Sequence, residues 1–128
     1  MCLPFYFPKQ NNFEKLNSNF QIEFRFWVSF DGKPLLGKGK MDLLRKIDQR
    51  GSLRQAAEEL RISYRKAYYR IYSMNKAAKQ PVVELKRGGK NGGVSEITTY
   101  GKKLMKEYEI IEKQLTDFIQ NCKFEAVH

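Results

Sequence analysis

Ser52-Leu53-Arg54-Gln55-Ala56-Ala57-Glu58-Glu59-Leu60-Arg61-Ile62-Ser63, running directly into Tyr64-Arg65-Lys66-Ala67-Tyr68-Tyr69-Arg70-Ile71-Tyr72, carries the clearest structural signal in the chain. Ser52 is a helix N-cap residue, and Leu53, Ala56, Ala57 and Leu60 form one apolar stripe behind it. The alanines at 56 and 57 let a crossing helix come close. A three-residue turn leads to a second helix, with Ala67, Ile71 and Met74 spaced i, i+4, i+7 toward the core. Arg65, Lys66, Tyr69 and Arg70 then fall largely on the opposite side. Tyr64 and Tyr68 are expected to pack their rings against the preceding helix and leave their hydroxyls wet. Short helix, turn, and a second helix rich in Arg, Lys and Tyr spell a helix-turn-helix.

The flanks extend this pattern. Lys40 to Arg50 puts Met41, Leu44 and Ile47 on one helical face, with Gly51 placed to stop the helix. Upstream, Gln21 to Phe30 alternates, with Ile22, Phe24, Phe26 and Val28 on one face, as in a half-buried strand. Asp31-Gly32 then signals a hairpin with a return strand near Lys33-Pro34-Leu35-Leu36. Downstream, Val82 to Leu85 and Val94 to Ile97 read as two strands around the basic, glycine-rich Lys86-Arg87-Gly88-Gly89-Lys90-Asn91-Gly92-Gly93. Such a hairpin after a helix-turn-helix is the pattern of a wing. Thr98 or Thr99 can cap a last helix running to about Cys122. Its apolar residues Leu104, Tyr108, Ile111, Leu115 and Phe118 recur at steps of 4, 3, 4 and 3, a short coiled-coil-like seam.

The expected fold class is mainly α with small β: a winged helix-turn-helix preceded by a β-hairpin and followed by a long C-terminal helix. Residues 1–20 read as an N-terminal extension, 21–100 as the winged helix-turn-helix, and 101–128 as a dimerisation helix and tail.

Charge sharpens the reading. The chain has 128 residues and a formal net charge of +10. Lys38 to Lys90 holds 15 Lys/Arg against 5 Asp/Glu, while the remainder holds nine of each. The whole surplus sits on the helix-turn-helix and the segment after it, where it can attract a polyanion. Catalysis finds little support. The single histidine is His128, and no Ser/His/Asp set or metal-ligand cluster is present. Gly32 to Gly39 is a near miss for a phosphate loop, with Gly39 where the Mg²⁺-binding Ser/Thr belongs. Neither an enzyme, a cofactor nor a metal is expected. Cys2 and Cys122, near opposite ends, are expected to be separate thiols in a reducing cytoplasm. No apolar run approaches the ~20 residues of a membrane span.

Residues from about 22 to 108 resemble the N-terminal winged-helix domain of the bacterial molybdate-responsive ModE transcription regulators. The matching segments include Asp31 to Gly39, Gly51-Ser52-Leu53 with Ala56-Ala57, and Ile62-Ser63-Tyr64-Arg65-Lys66-Ala67. They continue through Met74-Asn75, Pro81 to Glu84, Gly88 to Gly93, and Thr98 to Leu104. The resemblance implies a homodimeric DNA-binding domain that places Tyr64 to Arg70 in the major groove. Two departures stand out: Arg61 occupies a turn position where a small residue is common, and Val94 replaces a wing glycine. Members of that family carry a second, molybdate-binding region. With this chain ending at His128, molybdate is not an expected partner.

The resulting expectation is a cytoplasmic transcription regulator that binds double-stranded DNA as a homodimer. Arg65, Lys66, Tyr69 and Arg70 would read or border bases, with Tyr64 beside them. Ser52, Arg54 and Ser63 would position phosphates, and the wing residues Lys86, Arg87, Lys90 and Asn91 would clamp the backbone. The seam Leu104, Tyr108, Ile111, Leu115 and Phe118 would form the dimer contact. The rival readings are a protein-interaction module on the same scaffold and a nonspecific nucleic-acid binder whose tyrosines stack on unpaired bases.

Overall fold

The computed structural model describes residues 20–87 and 93–125. The expected N-terminal extension up to residue 19, and the wing-tip residues Lys90 and Asn91, lie outside the described residues. The fold is mixed α/β, with four helices and two small antiparallel sheets. The order is β1 (Val28–Phe30), β2 (Lys33–Leu36), α1 (Lys38–Arg50), α2 (Leu53–Glu59), α3 (Tyr64–Ala77), β3 (Val83–Lys86), β4 (Val94–Ile97) and α4 (Thr99–Gln120). Contacts divide the chain into two compact units, one spanning Arg25–Tyr108. Among the described residues, the other comprises 20–24 and 109–125.

Within Arg25–Tyr108 the core forms from the stripes that the periodicity predicts. Met41, Leu44 and Ile47 of α1, Leu53, Ala56 and Ala57 of α2, and Ala67, Ile71 and Met74 of α3 are all buried. Ala56 and Ala67 are completely so, which lets the three helices approach backbone to backbone. The strands add Val82, Val83 and Ile97, and the start of α4 adds Met105 and Tyr108.

The helix ends have identifiable causes. Gly51 takes a positive φ of 68° and its N–H donates to the Ile47 carbonyl, closing α1. Ser52 caps α2 by accepting from Gln55 N at 3.2 Å, and Ser63 caps α3 by accepting from Lys66 N at 3.0 Å. Between them α2 ends in paired reverse bonds, Arg61 N to Glu58 O and Ile62 N to Ala57 O. That closure puts Arg61 at φ 56°, a left-handed conformation that favours glycine. The departure at position 61 therefore carries a backbone cost. Arg50 and Glu59 brace the α1–α2 corner with a two-pronged ion pair at 2.7 and 2.9 Å, which holds the Glu59 carboxyl below the ordinary carboxylate range.

The β3–β4 hairpin is fixed to the helices by polar groups. Asn75 accepts from Val82 N (2.7 Å) and Val83 N (3.2 Å) and donates to Val83 O (3.0 Å). Ser95, buried in β4, accepts from Leu53 N at 2.9 Å, while its own N–H donates to Gly51 O. Thr98 accepts from Gly101 N, which makes Thr98 the cap of α4.

Three expectations need correction. The strand expected over Gln21–Phe30 is limited to Val28–Phe30, paired with Lys33–Leu36 through an irregular register at Val28/Ser29. Its partner ends at Leu36, so residues before Val28 find no ladder to join. Phe26 instead stacks on Tyr108, with ring centres 4.4 Å apart. Tyr64 and Tyr68, expected to pack on α2, are 49% and 44% exposed, because the alanines of α2 and α3 already fill that contact. Cys122, expected as a thiol, is disulfide-bonded, and its partner sulfur lies outside the described residues.

In the other unit, the rings of Phe20 and Phe124 lie 4.9 Å apart. Ile110 and Ile111 on α4 are 43% and 42% exposed.

Gly101 sits where α4 passes β3. A Cβ there would fall inside the contact shell of the Val82 carbonyl oxygen and 2.9 Å from Ile97 Cγ2. Gly101→Ala is expected to lose about 1–3 kcal/mol of stability in urea unfolding despite alanine's better helix propensity. An unchanged midpoint would show that the helix can move off the hairpin without cost.

Candidate nucleic-acid interface

The helical period of α3 sorts its residues. With Ala67, Ile71 and Met74 inward, Tyr64, Arg65, Lys66, Tyr69, Tyr72 and Ser73 are exposed and Arg70 is half-buried. Several of these groups are held by contacts that an exposed helix would otherwise lack. The Arg65 guanidinium lies 5.8 Å from the Tyr69 ring centre, and Arg54 from α2 lies 5.8 Å from that of Tyr64. Lys76 sits 5.2 Å from the Tyr72 ring centre. Such cation–π contacts reduce the freedom of the cations while leaving their N–H donors available.

Charge pairing distinguishes this face from α1. Asp42 pairs with Lys38 at 3.2 Å and Arg45 at 3.6 Å, and Glu59 pairs with Arg50 and Lys46. Among the described residues, no salt bridge ties Arg54, Arg65, Lys66 or Arg70 to a carboxylate. Asp42 and Glu59 thus neutralise cations on α1, and the α3 face keeps its own charge.

Between the first half of α3 and the β3–β4 hairpin lies a cleft of about 370 Å³. Arg54, Tyr64, Tyr68, Leu85, Arg87 and Val94 are among its lining residues. The Tyr64 and Tyr68 rings run at 28° to one another, 6.5 Å apart. Leu85 and Val94 are 41% and 52% exposed although both are strand residues. The cleft brings together a cationic rim and a flat apolar floor.

The expected site residues thus divide. Arg54, Tyr64, Arg65, Lys66 and Tyr69 share the exposed side of α2–α3. Ser52 and Ser63 spend their oxygen lone pairs on capping, which leaves each hydroxyl hydrogen to donate outward. Arg70 lies over Gly39 at the start of α1, its Nη1 3.4 Å from where a Cβ would be. Lys86 pairs across the hairpin with Glu96 at 3.2 Å, and Arg87 is exposed at the edge of the described strand. The Tyr68 and Tyr72 surfaces were not among the expected contacts, though their i+4 and i+8 spacing from Tyr64 already placed all three on adjoining faces. Of the apolar seam on α4, Tyr108 is 2% exposed and Leu104 packs against the same core. Ile111 and Phe118 are 42% and 37% exposed.

The chain is 39% identical over 74 residues to the transcriptional regulator ModE of Haemophilus influenzae, a stretch covering 58% of this chain and 29% of that protein. It is 32% identical over 91 residues to the DNA-binding transcriptional dual regulator ModE of Escherichia coli K12, covering 71% and 35% respectively. The molybdenum-pterin-binding protein MopA of Rhodobacter capsulatus is 33% identical over 85 residues, covering 66% and 32%. The matched part therefore corresponds to about a third of each relative and is similar to a ModE-like N-terminal domain. The ModE relatives are named as transcriptional regulators, not as enzymes. No protein-family profile matches the chain.

The cap of α3 gives a test of local order. Ser63→Ala should cost about 1 kcal/mol in denaturant unfolding, and Ser63→Asp should recover most of that loss, since aspartate caps as well as serine. Equal stability of all three proteins would mean that the Ser63–Lys66 bond contributes nothing.

Proposed function

We propose that the chain is a DNA-binding transcription regulator of ModE type, acting on duplex DNA through a winged helix-turn-helix. The single observation behind this reading is the exposed cationic and aromatic face of α3, where no salt bridge among the described residues ties Arg65, Lys66 or Arg70 to a carboxylate. Similarity to one regulator named as DNA-binding and to another named as a transcriptional regulator supports it. In this reading α3 enters the major groove. Arg65 and Lys66 meet base edges, with Tyr69 bracing the Arg65 guanidinium. Ser52, Arg54 and Ser63 hold phosphates at the helix starts, and Arg70 borders the same groove. The β3–β4 hairpin is the wing, with Arg87 on the backbone. Lys90 and Asn91 complete the proposed clamp, and both lie outside the described residues.

A single recognition helix reads few base pairs, so a homodimer on a two-fold site completes the proposal. The core position of Tyr108 narrows the proposed contact on α4 to Ile111, Leu115 and Phe118. The domain boundaries follow: 21–100 bind DNA, and 101–128 supply the dimer helix, of which Leu104 and Tyr108 serve the DNA-binding unit's own core.

Titration of duplex DNA at two salt concentrations tests the electrostatic part. With about 6–10 phosphates neutralised per dimer, affinity should fall ~10³–10⁵-fold between 50 and 200 mM salt. Arg65→Ala should cost about 1–3 kcal/mol at a selected site and relax preference at one base pair. Salt-independent binding, or equal losses on selected and random duplexes, would remove α3 as a reader. For assembly, Ile111→Asp combined with Leu115→Asp should leave a folded monomer in sedimentation that has lost site-specific binding. A wild-type protein already monomeric at micromolar concentration, with and without DNA, would defeat the dimer.

A further inference from the structure

At the start of α1 the structure assembles cations where elementary electrostatics disfavours them. The first turn of α1 has no acidic residue, and its N-cap, Gly37, offers no side-chain acceptor. The positive end of the helix dipole is thus without local compensation. The Lys40 ammonium nevertheless folds back here, donating to the Ser73 hydroxyl of α3 at 3.3 Å and to the Pro34 carbonyl of β2 at 3.5 Å. The Arg70 guanidinium lies against Gly39, its Nη1, Cζ and Nη2 all 3.4–3.6 Å from the position a Cβ would take. Burial first, and then the Arg70 charge, hold the Lys40 ammonium below its ordinary pKa. Asp42, the nearest acid along α1, is committed to Lys38 and Arg45.

The donor inventory of the cluster is unbalanced. Lys40 has three N–H groups and uses two. Ser73 accepts from Lys40, so its own hydrogen is left to donate outward. Arg70 brings up to five more donors with no carboxylate partner among the described residues. Three side chains from two helices thus converge as donors, around a net charge of about +2.

We propose that Lys40, Arg70 and Ser73 form a seat for one phosphate-type oxyanion, separate from the base-reading residues of α3. Such a group would accept the outward donors and cancel the clustered charge. A backbone phosphate of a bound duplex and a free inorganic phosphate share this chemistry. The backbone source rests on the DNA-binding reading above, and the free source does not. If the source is the duplex, α1 anchors the strand beside the groove that α3 enters. Arg70 then acts as a positioning contact on phosphate and not as a base reader.

Two measurements test the seat and tell the sources apart. In the first, melting is compared in inorganic phosphate and in chloride at matched ionic strength, without DNA. Wild type should melt about 3–6 °C higher in phosphate, as expected for an occupied site. Lys40→Gln should lose that increment. So should Ser73→Glu, whose carboxylate would take the place of the anion. In the second, duplex affinity is measured against salt. Both variants should flatten the log–log slope by about 0.9 per protomer, one phosphate fewer, while Lys103→Gln on α4 leaves it unchanged. A phosphate-dependent shift alone identifies a free-anion seat, and a slope change alone identifies a backbone phosphate. Equal melting in the two salts together with unchanged slopes overturns the seat, as does a Lys103→Gln effect equal to the others in the absence of a phosphate shift. If wild type binds no duplex, the DNA-binding reading fails by itself, and the melting comparison still decides the seat. Should Lys40→Gln not fold, Ser73→Glu, altered at an exposed position, carries both readouts.

Discussion

The angle between α3 and the β3–β4 hairpin depends on one carboxamide. Asn75, near the end of α3, makes three hydrogen bonds to the backbone that enters β3. Val82 and Val83 are buried at that point, so their amide groups have no access to water and must be satisfied from within. An asparagine accepts on one atom and donates from another, a spread that the single oxygen of a hydroxyl lacks, and a carboxylate has no donor at all. The cleft between Tyr64, Tyr68, Leu85 and Val94 exists because this link and the Ser95–Leu53 bond hold the hairpin beside the helix pair. The exposed face of α3 and the hairpin therefore act as one surface. Loss of either link would leave the residues of each element intact and their mutual spacing undefined.

The second organising constraint is how the acids are spent. Asp42 and Glu59 each serve two cations, and both lie on α1 or α2. These exposed pairs add little to stability. Their greater effect is on where the net charge resides. With these acids tied to Lys38, Arg45, Lys46 and Arg50, Arg54, the cations of α3 and Lys40 are left without a carboxylate partner among the described residues. The tyrosines matter for the same reason, since rings beside Arg54, Arg65 and Lys76 hold those cations in place without neutralising them.

Much of this was legible in the sequence where the signal was local. The stripes Leu53/Ala56/Ala57 and Ala67/Ile71/Met74, the caps Ser52 and Ser63, and the stop at Gly51 follow from spacing and from residues with one evident backbone role. The alternation in 21–30 misled because burial can alternate outside a strand: Phe24 and Phe26 are half-buried, yet both lie before β1 begins at Val28. The α4 seam also read as a single stripe although its residues serve different purposes, Tyr108 stacking on Phe26 while Ile111 stays exposed. Heptad spacing cannot tell a helix that packs inward from one that packs on a partner. The Lys40–Ser73–Arg70 cluster was least visible. It joins residues 33 positions apart, and only the crossing of α1 and α3 creates it. Lys40 looked like one more surface cation, and Arg70 like a residue of the base-reading face alone.

The left-handed Arg61 bears on time as well as on form. A side chain held at positive φ stores energy that a small opening of the chain would release, and here it stands in the short segment joining α2 to α3. The bonds that close this turn, Arg61 N to Glu58 O and Ile62 N to Ala57 O, are the ones such an opening breaks first. Local opening governs how quickly protected amides exchange with solvent. This strained turn stands directly before the N-terminus of α3.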